Sequence, residues 1–414
     1  MTRRGKCLVI LALLWASLSL YALPANADAL VTVLENNEDY QFGEQITFWA
    51  RLQAPIPIRQ VEVLYRPQTA SNTMTGLMTL EKDEVKYQLN LQTNLQFIPV
   101  FATIEYRYRV TLDDGQVGYS DYYTFRYLDN RFTWQSLEEL PFHVHWIEGD
   151  LAFGQSVVDA ARNGLQTAQE LFELPQMEKI DIFVYTSSAD VQSALQLGGF
   201  DLAAGHASPE LGVMMVSLPV GPAQLSEIRR QIPHELVHLM LYQKLGERSR
   251  HIPAWLNEGL ASLNEPSPNP DYAVLLEEAV ANGTVKSLEV LCGSFSMQGY
   301  DFYLSYAEAE SFTRFLNDHY GSSRFEELLM WYADGVECTR APELVYGQSL
   351  ARLENQWLNW LKGETQNSDW LRPLLPWFTV LAAALLVPLL LAFRPIKRAQ
   401  PPNEPKRVSR GGVN

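Results

Sequence analysis

From about residue 28 to residue 128 the chain alternates between apolar and polar positions, the period of a half-buried strand. Ile46, Phe48, Ala50 and Leu52 interleave with Thr47, Trp49, Arg51 and Gln53, and Ile104, Tyr106, Tyr108, Val110 and Leu112 interleave with Glu105, Arg107, Arg109 and Thr111. Val61, Val63 and Tyr65 mark another strand, and Tyr87, Leu89 and Leu91 one more. Asp113-Asp114-Gly115-Gln116 is a turn signal that folds the run at 104–112 back onto a strand from Val117 to Phe125. About seven short strands in about 100 residues predict a two-sheet sandwich of immunoglobulin or fibronectin III character over residues 28–128.

The period changes after an interruption at 128–140, where Asp129-Asn130-Arg131 and Pro141 predict a linker. A short strand, Phe142 to Trp146, comes first. Its His143 and His145 share a face, so a second metal site is conceivable, although a half-exposed strand explains the pattern more simply. Helical spacing predicts a helix over about 153–172, followed by apolar strands at 180–185 and 211–218. A helix is predicted over about 224–245, with Pro233 either kinking it or marking its start. Helices then dominate to residue 361, predicting an α+β domain over 141–362.

Both ends are unlike the middle. Arg3, Arg4 and Lys6 precede an apolar run to about Leu23 and then Ala25-Asn26-Ala27, which predicts a signal peptide over 1–27. Residues 373–393 carry no charged side chain and suffice to cross a hydrocarbon core of about 30 Å, so a transmembrane helix is expected there. Arg394, Lys397, Arg398, Lys406, Arg407 and Arg410 follow it, which predicts that 394–414 is a basic cytoplasmic tail. Together these predict a single-pass protein of the cell membrane, with its globular part extracellular. The formal net charge is −16, and the bases clustered at the two ends leave the middle more acidic still. That balance argues against nucleic acid as a partner.

Chemistry enters at His234-Glu235-Leu236-Val237-His238. Histidines at i and i+4 lie on one helix face and can grip one metal ion. A catalytic zinc takes three protein ligands and keeps one open position. Glu258, twenty residues after His238 in Trp255-Leu256-Asn257-Glu258-Gly259-Leu260-Ala261, would be the third ligand. Glu235, beside the first histidine, is placed to take a proton from water. The constellation predicts one Zn²⁺ per chain and a peptide or protein substrate.

The His-Glu-x-x-His run plus Asn257-Glu258-Gly259 resembles the gluzincin metallopeptidases of the peptidase MA-like group, related to the catalytic domains of thermolysin and aminopeptidase N. The resemblance implies that His234, His238 and Glu258 hold zinc and that Glu235 is the general base. It also implies a downstream hydroxyl for the oxyanion, for which Tyr306 is the match and Tyr303, one turn earlier, the alternative. Aminopeptidases of this group carry a Gly-x-Met-Glu-Asn segment whose carboxylate holds the substrate amine. Here the comparable segment is Gly212-Val213-Met214-Met215, without an acid. Gly212, Val213 and Met214 are expected to bind substrate by strand addition, and an endopeptidase is expected rather than an aminopeptidase. A non-catalytic adhesion protein working through the β-sandwich is the reading of another class. Once Cys7 leaves with the signal peptide, Cys292 and Cys338 remain, a pair that predicts one disulfide in an exported domain.

Overall fold

The computed structural model describes residues 30–82, 84–91, 98–171, 178–197, 205–266, 269–295 and 299–369. The expected signal peptide at 1–27, span at 373–393 and tail at 394–414 lie outside the described residues.

Among the described residues, nine antiparallel strands build the N-terminal part: β1 (Thr32–Gln41), β2 (Gln45–Gln53), β3 (Ile58–Pro67), β4 (Met74–Leu77), β5 (Thr79–Glu81), β6 (Glu84–Asn90), β7 (Thr103–Leu112), β8 (Val117–Tyr119) and β9 (Tyr123–Arg126). One sheet runs β1-β2-β6-β5 and the other β4-β3-β7-β8, with β9 also pairing β7. The alternation decides which side chains meet. Ile46, Phe48, Ala50 and Leu52 from one sheet face Val61, Val63, Tyr65, Ile104, Tyr106 and Tyr108 from the other in one buried cluster.

A second sheet system follows, in the order β10 (Gln135–Glu139), β11 (Phe142–Trp146), β12 (Ile180–Tyr185), β14 (Val213–Ser217) and β13 (Gly205–Ser208). The three central strands are parallel and the two outer ones antiparallel to their neighbours. Every residue of β12 and β14 is buried, as expected for a parallel sheet covered on both faces. Ile180, Ile182, Val184, Met214 and Val216 pack into a helical core. Phe183, Tyr185, Val213 and Met215 turn the other way and join the core of the N-terminal sheets. Phe101 stacks on Phe183 with ring centroids 3.5 Å apart. Four buried side chains at about 1.5–3 kcal/mol each make this junction costly to open.

The segment 128–140, the expected linker, runs through this junction. Asp129 is fully buried and accepts hydrogen bonds from the Tyr185 hydroxyl at 3.1 Å and from the Arg131 guanidinium at 2.6 Å. The Asp129 carbonyl accepts the Trp134 indole N–H at 2.8 Å. A buried carboxylate held this way fixes the chain path, since an unpaired charge there would be strongly unfavourable.

The helices are α1 (Leu151–Leu171), α2 (Ser188–Leu197), α3 (Gln224–Leu245), α4 (Ala254–Leu263), α5 (Asp271–Asn282), α6 (Gly299–Tyr320), α7 (Ser322–Ala333), α8 (Ala341–Tyr346) and α9 (Leu350–Asp369). Pro233 lies inside α3 and does not start it. It is held against Gly164 of α1, where a Cβ would sit 2.9 Å from the Pro233 ring. The Cys292–Cys338 disulfide, with a Cα–Cα distance of 6.1 Å, ties the turn before α6 to the loop after α7. Closing a loop of 46 residues stabilises the fold by about 4 kcal/mol in the chain-entropy account.

The expected fold class needs correction at its C-terminal end. What the described residues show is a β-rich N-terminal region followed by a largely helical domain. No helix among them is long and apolar enough to cross a membrane. The last one, α9, carries Arg352, Glu354, Lys362, Glu364 and Asp369, and burying such charges in hydrocarbon is unfavourable.

Candidate active site

His234 and His238 stand one turn apart on α3, and Glu258 comes from α4. The two helices approach because α4 packs tightly on α6. A Cβ on Gly259 would lie 2.0 Å from the Thr313 hydroxyl and 2.6 Å from the Ala309 carbonyl, so only glycine permits this crossing. Next to it in sequence, Glu258 turns its carboxylate to the histidines. Its Oε2 lies 3.4 Å from His234 Nε2 and 3.8 Å from His238 Nε2.

Both rings are held from behind. His234 Nδ1 donates to Glu265 Oε1 at 2.7 Å, and His238 Nδ1 donates to Asn257 Oδ1 at 3.3 Å. With each Nδ1 occupied, each Nε2 is turned to the Glu258 side, and its lone pair is available there once the ring is neutral, the orientation that supporting partners impose on metal-binding histidines. Asn264, also buried, donates to the Pro233 carbonyl at 2.9 Å and ties the end of α4 to α3.

These three donors fit a metal. Atoms about 2.0–2.1 Å from a tetrahedral zinc lie about 3.3 Å apart, close to the observed separations. Glu258 Oε2 is buried and has no hydrogen-bond partner, an arrangement that is costly unless a cation completes it. His234, His238 and Glu258 form one of two groups among the described residues whose donor atoms could hold a metal ion.

The electrostatics follow from burial and crowding. Burial works against a charged His234 ring, but Glu258 and Glu265 outweigh it and push the ring up to about 10. Burial likewise pushes Glu258 up, yet His238 and His234 prevail and hold it at about 2. Glu235 is raised, first by burial and then by Glu258 and Glu265, against the pull of the two histidines. Tyr306 is driven far above its ordinary range by burial and by the charges of Glu258 and Glu235.

A cavity of about 380 Å³ opens over these groups. His234, Glu235, His238, Asn257, Glu258 and Tyr306 form its floor, and His206, Ala207 and Pro209 one wall. Leu241, Ser249 and Arg250 lie on the rest of its lining. Tyr306 is two turns into α6, and its ring is 6.1 Å from that of His234. Tyr303 is 48% exposed and does not line the cavity. His251 donates to the Ala333 carbonyl at 3.0 Å, away from the cleft.

The expected substrate strand lies inside the central sheet. Gly212, Val213 and Met214 are not at a sheet edge, because β14 is paired on one side with β12 and on the other with β13. Val213 and Met214 are fully buried, and none of the three lines the cleft. The terminal strand is β13, whose His206 and Ala207 do. His206 is pushed down to about 4 by burial, with His238 adding to the effect, so its ring is neutral at neutral pH. Glu265 was also missed. It lies two residues beyond the end of α4, so helical spacing does not place it, and no local signal marks it.

The model of the Peptidase MA superfamily matches residues 160–363, which supports a metallopeptidase-like domain over this part of the chain. No curated protein matches. Solved structures similar to parts of it include OgpA from Akkermansia muciniphila, at 14% identity and a TM-score of 0.20, covering 23% of this chain and 28% of that one. The polysaccharide deacetylase BC0361 from Bacillus cereus is 6% identical, with a TM-score of 0.19 and coverage of 39% and 54%. The purple acid phosphatase PPD1 from yellow lupin is 9% identical, with a TM-score of 0.21 and coverage of 46% and 35%. The chain thus spans less than two thirds of each of these three, and likenesses so slight carry no argument.

Proposed function

We infer that this chain is a zinc-dependent endopeptidase, with its catalytic centre at His234, His238, Glu258, Glu235 and Tyr306. One observation carries the reading: two imidazole Nε2 atoms and an orphaned carboxylate oxygen converge under a cleft that also holds a further carboxylate, Glu235. Two histidines and a glutamate are a catalytic zinc donor set. Zinc held there supplies Lewis acidity and brings the pKa of a coordinated water toward neutrality. Glu235, made more basic by burial, accepts the proton of the attacking water and returns it to the leaving amine. Tyr306 stays protonated and donates to the carbonyl oxygen as it gains charge. As the terminal strand, β13 offers backbone groups for pairing with an extended peptide.

Glu235 and Glu258 are the carboxylates lining the cleft among the described residues, and both have chemical duties. None is left there to hold a substrate amine, which favours internal cleavage. The Cys292–Cys338 disulfide supports work in an oxidising, extracytoplasmic compartment.

The test is cleavage of internally quenched peptides blocked at both ends. The reading expects turnover that 1,10-phenanthroline abolishes and added zinc restores. Cleavage confined to peptides with a free amine favours an aminopeptidase. Zinc-loaded protein that cleaves neither kind contradicts the proposal.

A further inference from the structure

A second group of potential metal donors lies on the face of the central sheet turned toward the N-terminal sheets. His143 and His145 alternate along β11 onto the face that also carries Phe183. The parallel register sets His143 directly beside Asp181 of β12. His143 Nδ1 and His145 Nε2 both lie 3.1 Å from Asp181 Oδ1.

We propose that His143, His145 and Asp181 form a second divalent-metal site, of zinc-type chemistry, where the central sheet meets the N-terminal sheets. Two nitrogens and one oxygen are borderline-soft donors that suit zinc better than calcium or magnesium. Their 3.1 Å separations match the roughly 3.3 Å edge of a tetrahedron of ligands about 2.0–2.1 Å from zinc. Hydrogen bonding alone leaves the cluster incomplete. Asp181 Oδ1 is in hydrogen-bonding geometry with His145 Nε2, but His143 Nδ1 is buried without a hydrogen-bond partner. A cation between the three donors would satisfy that nitrogen.

The surroundings hold the donors in place. Arg126 of β9 donates to Asp181 Oδ2 at 2.7 Å, which turns Oδ1 toward the rings. Phe183 stacks on the His145 ring at 4.3 Å and 10°. Asp181 and Arg126 also line a cavity of about 300 Å³ between the two sheet systems, a route for an ion from solvent. The guanidinium charge lowers the affinity for a cation, as does Lys179, itself paired to Glu138 at 3.4 Å. The site is therefore expected to be weaker than the helical one. Because Arg126 belongs to the N-terminal sheets, its bond to Asp181 connects the ion to the joint between the two parts.

The experiment is zinc content per full-length chain, read by mass spectrometry after equilibration with zinc and gel filtration, for four proteins. The expectation is two ions in the unaltered chain, one in His145→Ala, one in His234→Ala and none in the double variant. A single ion that survives His234→Ala and is lost in His145→Ala keeps this site while removing the one on the helices. A His145→Ala protein that holds as much zinc as the unaltered chain overturns the proposal. Cobalt(II) titration of His234→Ala covers the case in which His145→Ala misfolds. Visible absorption that still saturates at one equivalent in His234→Ala supports the site, and a His234→Ala protein that takes up no cobalt overturns it.

Discussion

Two clusters in this molecule have nearly the same donors and quite different neighbourhoods. His234, His238 and Glu258 stand on helices, the histidines four residues apart. His143, His145 and Asp181 stand on strands, the histidines two residues apart with the carboxylate supplied by register. Each helical ring is gripped through Nδ1 by Glu265 or Asn257, and Glu235 and Tyr306 complete an open cleft. In the strand cluster the carboxylate is shared with Arg126, whose positive charge holds Asp181 ionised but works against a metal ion beside it. Donors alone do not make a catalytic centre. A base, a proton donor and room for substrate around them do.

The largest effect should come from breaking the helical cluster itself. His234→Ala is expected to reduce peptide cleavage to background and remove that site's metal, leaving the strand cluster untouched. Metal content unchanged at the helical site would show that His234 is no ligand. Glu235→Gln separates chemistry from metal binding: turnover should fall by about 10²–10⁴ while zinc is retained, and a protein that loses its zinc instead has the role misassigned. Tyr306→Phe removes one donor and should lower kcat by about 10²–10³ with little change in KM. An equal loss in KM with kcat preserved would make Tyr306 a substrate contact only.

Smaller effects probe the support. Glu265→Gln should weaken zinc binding at the helical site by about 10–100-fold, measured by competition with a chelating dye, and leave the strand cluster's affinity as it was. An equal loss at both clusters would point to a general loosening of the fold. Gly259→Ala drives a methyl group into Thr313 and the Ala309 carbonyl and should destabilise the domain by about 1–3 kcal/mol in urea unfolding. An unchanged midpoint would mean that the α4–α6 crossing is looser than described.

How much of this was legible in the sequence differs residue by residue. That His234 and His238 share a face follows from helical spacing, which is local, whereas Glu258 stands on another helix and joins them in sequence only through the resemblance. Glu265 lies beyond the end of α4, and only the fold brings it to the His234 ring. The alternation of β2 and β7 gave the inner face of the N-terminal sheets directly. Edge and interior strands were harder, because pairing partners lie far apart in sequence. Val213-Met214-Met215-Val216 has no alternation, which is the mark of a strand covered on both faces and argues against an edge. The substrate segment was placed there by resemblance, against that signal. His206 carried no local signal at all, because it reaches the cleft only through the pairing of β13 with β14. The joint around Asp129 resembles a linker in sequence for a related reason. Its polar residues look solvated in sequence, and only the fold brings Tyr185 to that carboxylate.

The most direct test of the account is anomalous scattering at the zinc absorption edge from a crystal of the zinc-equilibrated protein. The account predicts a peak bounded by His234 Nε2, His238 Nε2 and a Glu258 carboxylate oxygen. A well-ordered cleft with no peak among those three residues would contradict it.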